Sequence, residues 1–209
     1  MGYIPAKVET ALRYNNGIIY IESKPKTKWL RLIRRHPMAD NDLQKGILDL
    51  IKVLDKGISM ERNAQIFYGT AARNTKAPQG KKMYEWLVNF ERNHESNLLA
   101  KRKELLQHPA MRSTPVPLLD ISTLSEAATP DDLPPEPSDV DVLRVAIDGE
   151  RKAYAFYNRK LTHAADEHLK TMFQTMAREE DKHIKILSEM RRRLQIDGIW
   201  SDLEAFEEK

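Results

Sequence analysis

The chain has 209 residues, of which 41% are hydrophobic and 31% are charged, and its formal net charge is +3. This balance is typical of a globular protein rich in amphipathic helix, and it excludes a disordered chain or one made of membrane spans. Cysteine is absent, which excludes disulfides, thiol catalysis, iron–sulfur clusters and cysteine-ligated zinc within this chain. The first residues lack the apolar core of a signal peptide, so we expect a cytoplasmic location.

Residues 1–40 form a basic N-terminal extension, with eight Lys or Arg residues against three Asp or Glu residues. Asn16-Gly17 lies between β-prone residues, which predicts a β-hairpin. The stretch "KTKWLRLIRRHP" is short, basic and amphipathic. Such an extension can contact an acidic partner, a membrane surface or nucleic acid. We favour a solvated or subunit-contacting extension, and expect no nucleic-acid or membrane partner.

A helical period begins after the extension, because apolar residues then recur in steps of three and four. It predicts one helix over 42–73, which Asp40 or Asn41 can cap. Pro78 opens a second helix, since the missing proline N–H does no harm there, and this helix stops before Pro109.

A proline-rich segment, 108–138, separates these helices from the rest and contains seven of the eleven prolines. It predicts a long, mostly extended connection. Ser138 and Asp141 resemble a capping box for a third helix. A short break at 163–166 leads to a fourth helix, which ends near Gly198.

Four helices joined in this way predict an all-α four-helix bundle. Short links make two antiparallel helix hairpins, and the proline-rich segment is long enough to cross from one end of the bundle to the other. We assign the bundle to 41–195, with 108–138 as its crossover and 196–209 as a short C-terminal tail.

Six polar residues interrupt the apolar faces of these helices. They are Glu61, Glu91, His94, Glu150, Glu180 and His183. A buried ionised carboxylate costs several kcal/mol unless it is compensated, and four at one level of a bundle repel each other. A pair of divalent metal ions is the simplest compensation.

The spacing of these residues shows an internal repeat. "MERNAQIFY" at 60–68 and "GERKAYAFY" at 149–157 have the same pattern, and each contains a glutamate that lies 30 residues before a second one. The second glutamate starts a Glu-x-x-His motif in both copies, "ERNH" and "EDKH". Residues i and i+3 share a helix face, so both side chains can reach one metal ion.

Four carboxylates with two imidazoles suit iron or manganese. The alternative is that the histidines are satisfied core residues and the glutamates pair with Arg or Lys; the six residues together favour the metal site.

Tyr68 and Tyr157 lie two turns after the first glutamate of each copy, where they could hydrogen-bond ligands or act as redox tyrosines. We favour core packing with a polar tip. Glu95 and Glu179 are predicted to lie on solvated faces.

The stretch 42–195 resembles the ferritin-like superfamily, and most closely its rubrerythrin and bacterioferritin branch. The motifs that carry the resemblance are "GISMERNAQIFY", "FERNHESNLL", "DGERKAYAFY" and "REEDKHIKIL". The resemblance implies a non-haem di-iron centre that reacts with O2 or H2O2. It also implies bridging roles for Glu91 and Glu180. Glu61 and Glu150 would be terminal ligands, and His94 and His183 would each supply one nitrogen.

Three features depart from that branch. Rubrerythrins usually have a further glutamate where this chain has Ala153. They often carry a cysteine-ligated rubredoxin domain, which a chain without cysteine cannot form. Arg92 follows the second-helix glutamate, where bacterioferritin has its haem-binding methionine, so we expect no haem.

The expected function is therefore an oxidoreductase that oxidises Fe(II), reduces O2 or H2O2, or does both. Its cofactor would be two iron ions, or alternatively manganese or a mixed pair. Electrons would come from Fe(II) itself or from a separate donor, and we expect a homodimer or larger homo-oligomer. Two alternatives stay open: an iron-binding or storage protein without sustained catalysis, and a helical partner-binding protein with a vestigial metal site.

Overall fold

The computed structural model describes residues 10–15, 18–23, 40–111, 129–164 and 167–201. Several sequence predictions lie outside the described part of the chain: the hairpin turn at 16–17, the cap side chains at 40–41, the basic piece within 24–39, the middle of the crossover at 112–128 and the tail at 202–209. Near the N-terminus, strand β1 (Thr10–Asn15) pairs antiparallel with β2 (Ile18–Ser23), with Thr10 opposite Ser23.

Four long helices form the body of the molecule. They are α1 (Asp40–Asn74), α2 (Pro78–Leu106), α3 (Asp139–His163) and α4 (Glu167–Asp197). Helix α1 packs mainly on α2, and α3 packs mainly on α4. This confirms the predicted four-helix bundle of two hairpins. Among the described residues, no helix is both long enough and apolar enough to cross a membrane.

The helix ends follow from local chemistry. The Ser138 hydroxyl accepts a hydrogen bond from the Asp141 N–H (3.2 Å), and the Asp141 carboxylate accepts one from the Ser138 N–H (3.1 Å). This confirms the predicted capping box of α3. Pro78 is the first residue of α2. Gly198 follows α4 with a positive φ of 68°, a conformation that favours glycine at a helix end.

The core consists of two apolar clusters, one toward each end of the bundle. The first contains Ile47, Leu54, Ile58, Leu98, Phe156, Phe173 and their neighbours. The second contains Phe67, Tyr84, Leu87, Leu143, Ile147, Leu187 and their neighbours. Each helix contributes residues to both clusters. On each helix, the predicted metal ligands lie between the residues of one cluster and those of the other. The apolar packing thus positions a polar layer in the interior.

The segment after α4 closes one end of the bundle. The Trp200 indole N–H donates a hydrogen bond to Asp139 (3.0 Å), and the ring lies edge-on to Tyr84 with centroids 5.9 Å apart. The ring also covers Gly80 so closely that a Cβ built there would lie 2.8 Å from it. A side chain at position 80 would therefore require the Trp200 ring to move.

Gly80→Ala is expected to lower the free energy of unfolding by about 1–3 kcal/mol, because the new methyl group displaces the Trp200 ring. Gly69→Ala is the matched control, since the nearest atom to its Cβ is the end of the Arg73 side chain at 3.5 Å. This substitution should stabilise α1 by up to about 1 kcal/mol. Urea unfolding followed by circular dichroism measures the free energy of unfolding of both variants. Equal stabilisation of the two variants would contradict the packing of Trp200 on Gly80.

Candidate metal centre

The structure brings all six predicted ligand residues together in the layer between the apolar clusters. Each is at most 4% exposed. Their donor atoms form two groups in which all atoms lie within 4.8 Å of one another: Glu61, Glu91, His94 and Glu180 in one, and Glu91, Glu150, Glu180 and His183 in the other. Glu91 and Glu180 belong to both groups, so the two groups overlap at their centre.

The imidazole of His94, on α2, points its Nδ1 atom into the first group. This atom lies 3.2 Å from Glu91 and 3.2 Å from Glu180. It lies 3.7 Å from Glu61.

His183, on α4, is arranged in the same way in the second group. Its Nδ1 atom lies 3.2 Å from Glu180 and 3.4 Å from Glu150. It lies 3.6 Å from Glu91. The two copies of the sequence repeat therefore build two equivalent inner arrangements.

Two buried tyrosines connect the hairpins across this layer. The Tyr68 hydroxyl on α1 donates a hydrogen bond to Glu150 on α3, and the Tyr157 hydroxyl on α3 donates one to Glu61 on α1. Each tyrosine thus contacts the carboxylate of the other copy and holds it in place. Burial, followed by the neighbouring glutamates, raises the pKa of both phenols well above the usual value.

The central carboxyls resist ionisation when no cation is bound. Burial raises the pKa of Glu91, and the charges of Glu180, Glu150 and Glu61 raise it further. Burial and the charge of Glu150 raise the pKa of Glu180 to about 7, against the opposing hydrogen bonds from His183 and His94. Both shifts reflect the cost of placing several negative charges in a desolvated space.

The pKa values of Glu150, His94 and His183 shift in the direction that favours the charged form of each group. Burial alone would raise the pKa of Glu150, but the nearby His183 and hydrogen bonds from His183, Glu180 and Tyr68 lower it to about 2. Burial alone would lower the pKa of His94 and His183, but their carboxylate neighbours raise it well above the usual value. Protons on the imidazoles thus compensate part of the negative charge.

The donor set fits a pair of divalent cations. Glu91 Oε1 and Glu180 Oε1 are buried and accept no hydrogen bond of good geometry from the described residues, although buried polar atoms are nearly always paired. Their nearest imidazole nitrogens are His183 Nδ1 at 3.6 Å and His94 Nδ1 at 3.2 Å, respectively. Adjacent ligand atoms of a six-coordinate ion with bonds of about 2.1 Å lie about 3 Å apart. The separations from each Nδ1 atom to its carboxylate oxygens, 3.2–3.7 Å, are close to that value.

A small cavity adjoins the carboxylate side of this layer. Its volume is about 20 Å³, and all four glutamates line it, together with Ala64, Gly149 and Ala153 among others. The two alanines are counterparts in the sequence repeat. A cavity of this size holds about one water-sized molecule.

The prediction that Glu179 and Glu95 lie on solvated faces is wrong. Glu179 Oε2 lies 2.8 Å from the Nε2 atom of His94. Glu95 accepts hydrogen bonds from Arg62 (2.5 Å) and Gln65 (2.8 Å), tying α1 to α2. Both residues lie at borders between packed helices, where a long side chain reaches the neighbouring helix. The period of one helix does not contain that information.

The metal-free protein is expected to become less stable as pH rises from 5 to 8. The pKa of Glu180 is about 7 in the folded state and about 4.3 in the unfolded state. Between these values the folded state keeps a proton that the unfolded state releases, so stability falls as pH rises. The raised pKa of both histidines acts in the same direction above about pH 6.5. Urea midpoints of chelator-treated protein measure the slope.

Glu180→Gln provides the control for this pH dependence, because glutamine resembles the protonated carboxyl at all pH values. The slope between about pH 4.5 and 7 should become smaller in this variant, while the part above about pH 6.5 persists. A metal-free protein whose stability is constant or rises over this range would contradict the assignment.

Tyr68→Phe and Tyr157→Phe are each expected to lower the free energy of unfolding by about 1.5–3 kcal/mol, because each removes a buried hydrogen bond to a charged group. Tyr84→Phe is the matched control, since the Tyr84 hydroxyl is buried without a hydrogen-bond partner among the described residues. Phe173 occupies the position equivalent to Tyr84 in the second copy of the sequence repeat. The control should change stability by less than about 0.5 kcal/mol; equal losses in all three variants would show that the hydroxyl contacts contribute nothing specific.

Comparisons with known proteins agree with this architecture. The sequence model of the rubrerythrin family matches residues 141–206, which include Glu150, Glu180 and His183. No curated protein matches the chain significantly.

Two solved structures share the fold. A hypothetical protein from Pyrococcus furiosus has a TM-score of 0.57 and 21% identity, with 76% of this chain and 94% of that chain covered. A structure described as "ferritin like, diiron-carboxylate proteins" from Bacillus anthracis has a TM-score of 0.50 and 20% identity, with 69% and 96% covered. With the observed bundle, these similarities show that the chain has a ferritin-like fold and that its second hairpin resembles the rubrerythrin family.

Proposed function

We propose that this protein is a di-metal oxidoreductase that oxidises Fe(II) and reduces O2 or H2O2. The observation that carries the proposal is the pair of overlapping donor groups, which share Glu91 and Glu180. The rubrerythrin match over the second hairpin and the diiron-carboxylate description of the Bacillus anthracis protein support it. A bound iron or manganese pair would supply two redox equivalents and a Lewis-acid centre for a small oxidant.

The shared glutamates would contact both ions, since each has two oxygens within the layer. Glu61 and His94 would complete one metal position, and Glu150 and His183 would complete the other. Tyr68 and Tyr157 would keep the two outer carboxylates oriented by their hydrogen bonds. Iron is our choice of native metal; manganese or a mixed pair would use the same donors.

The size of the adjoining cavity favours a small inorganic oxidant. A space of about 20 Å³ beside the four glutamates holds about one water-sized molecule, so a small oxidant such as O2 or H2O2 suits it better than an organic substrate. Ala153 contributes to this space. A longer side chain at position 153 would occupy it, so the departure from the rubrerythrin pattern at this position leaves room for the oxidant.

The electrons for turnover must reach the site from outside the chain or from the substrate. The chain contains no cysteine, so it cannot hold a thiolate-ligated iron centre of its own. Fe(II) as a substrate, or a separate reductant, would supply the electrons.

Purified protein is expected to bind about two metal ions per chain, as the two donor groups suggest, and to oxidise added Fe(II) with O2 or H2O2. Glu91→Gln and Glu180→Gln should each lower the rate of Fe(II) oxidation by more than 10–100-fold. That range is the typical loss when a residue that only hydrogen-bonds to a metal ligand is removed, whereas these two glutamates would bind the ions directly. Metal analysis and the absorbance of Fe(III) measure the two properties.

Glu85→Gln is the matched control, because Glu85 lies on α2 with Glu91 but has an exposed side chain paired with Lys81. It should keep the wild-type rate. Absence of bound metal, or wild-type rates in the Glu91 and Glu180 variants, would overturn the proposal. Retention of many irons per assembly would indicate storage instead.

A further inference from the structure

The two histidines of the site differ in their outer nitrogen atoms. His94 Nε2 lies 2.8 Å from the Glu179 carboxylate, which is half-buried. His183 Nε2 is buried and has no hydrogen-bond partner among the described residues. The rings of Phe90 and Trp86 lie edge-on to His183 instead, with centroids 5.2 and 5.5 Å away. The inner arrangement is thus symmetric, whereas the surroundings are not.

This difference is encoded at one position of the internal repeat. Glu179 immediately precedes Glu180 in the second copy, and the residue that precedes Glu91 in the first copy is Phe90. Each of the two side chains lies against the histidine of the opposite helix. The same geometric position therefore holds an anionic hydrogen-bond acceptor in one half and an aromatic ring in the other.

The difference has a direct consequence for metal binding. An imidazole that binds a cation through Nδ1 must carry its remaining proton on Nε2. At His94 the Glu179 carboxylate accepts that N–H, which fixes the tautomer and ring orientation and makes the nitrogen a stronger donor. At His183 the same N–H stays in an apolar environment without an acceptor, which is costly for a buried donor.

We propose that Glu179 is a positioning residue that makes the two metal positions unequal. The position held by Glu61 and His94 binds its ion more tightly and fills first. The position held by Glu150 and His183 binds the second, weaker ion. This inference rests on the proposed function, because it requires that the six residues bind two metal ions.

Zn²⁺ titrated into the metal-free, full-length protein tests the inference. Calorimetry should resolve two binding steps of different affinity, and imidazole NMR signals of His94 should change before those of His183. Glu179→Gln should weaken the tighter step by about 10–100-fold and leave the weaker step unchanged, so that the two affinities converge. Glutamine keeps the size of the side chain, and thermal unfolding of the metal-free variant confirms that it folds.

Two further variants separate positioning from general effects of charge. Glu95→Gln removes the same charge beside His94 in sequence, but Glu95 contacts Arg62 and Gln65 rather than the imidazole; it should leave both steps unchanged. Phe90→Glu introduces the carboxylate in the other half and should tighten the weaker step. The inference requires that Glu179→Gln weakens the tighter step and that Glu95→Gln does not.

Several results would overturn the inference. Two steps of equal affinity in the wild type would do so, as would an equal weakening of both steps by Glu179→Gln or an earlier change of the His183 signals. These outcomes leave the proposed di-metal function intact. A protein that binds no zinc at all would overturn both the inference and the proposed function.

Discussion

Four carboxylates that face one another in a desolvated layer are the constraint on which this structure depends. Burial and mutual repulsion raise the pKa of Glu91 and Glu180. Without compensation, such a layer would oppose the packing on either side of it. The two histidines, the two tyrosine hydroxyls and the proposed pair of cations supply that compensation.

The apolar clusters above and below the layer hold it in place. Because each helix contributes to both clusters, none can shift along its axis without disrupting packing at both ends. The tyrosines connect α1 to α3, and the Glu95 contacts connect α1 to α2. The donors are therefore held by rigid elements, as a preorganised metal site requires.

The sequence predicted the bundle and the grouping of its polar residues for physical reasons that are local. A helical period identifies which residues share a face, so the Glu-x-x-His motifs and their repeat were recognisable without coordinates. Glu179 and Glu95 were misplaced because their partners belong to other helices. Tyr68 and Tyr157 were on the correct face, but the carboxylate that each one contacts lies more than 80 residues away along the chain.

The sequence by itself determined the helices, the duplicated pattern and the chemical identity of the donors, because these depend on residue type and spacing along one chain segment. Only the tertiary structure decided that the tyrosine of each copy contacts the glutamate of the other copy, and that a cavity large enough for one small molecule adjoins the glutamates. It also decided that the outer nitrogen atoms of His94 and His183 have different surroundings. Those features arise where separate helices meet. They depend on which side chains of neighbouring helices meet. The pattern of one helix identifies its buried face, but it does not identify the residues that this face contacts.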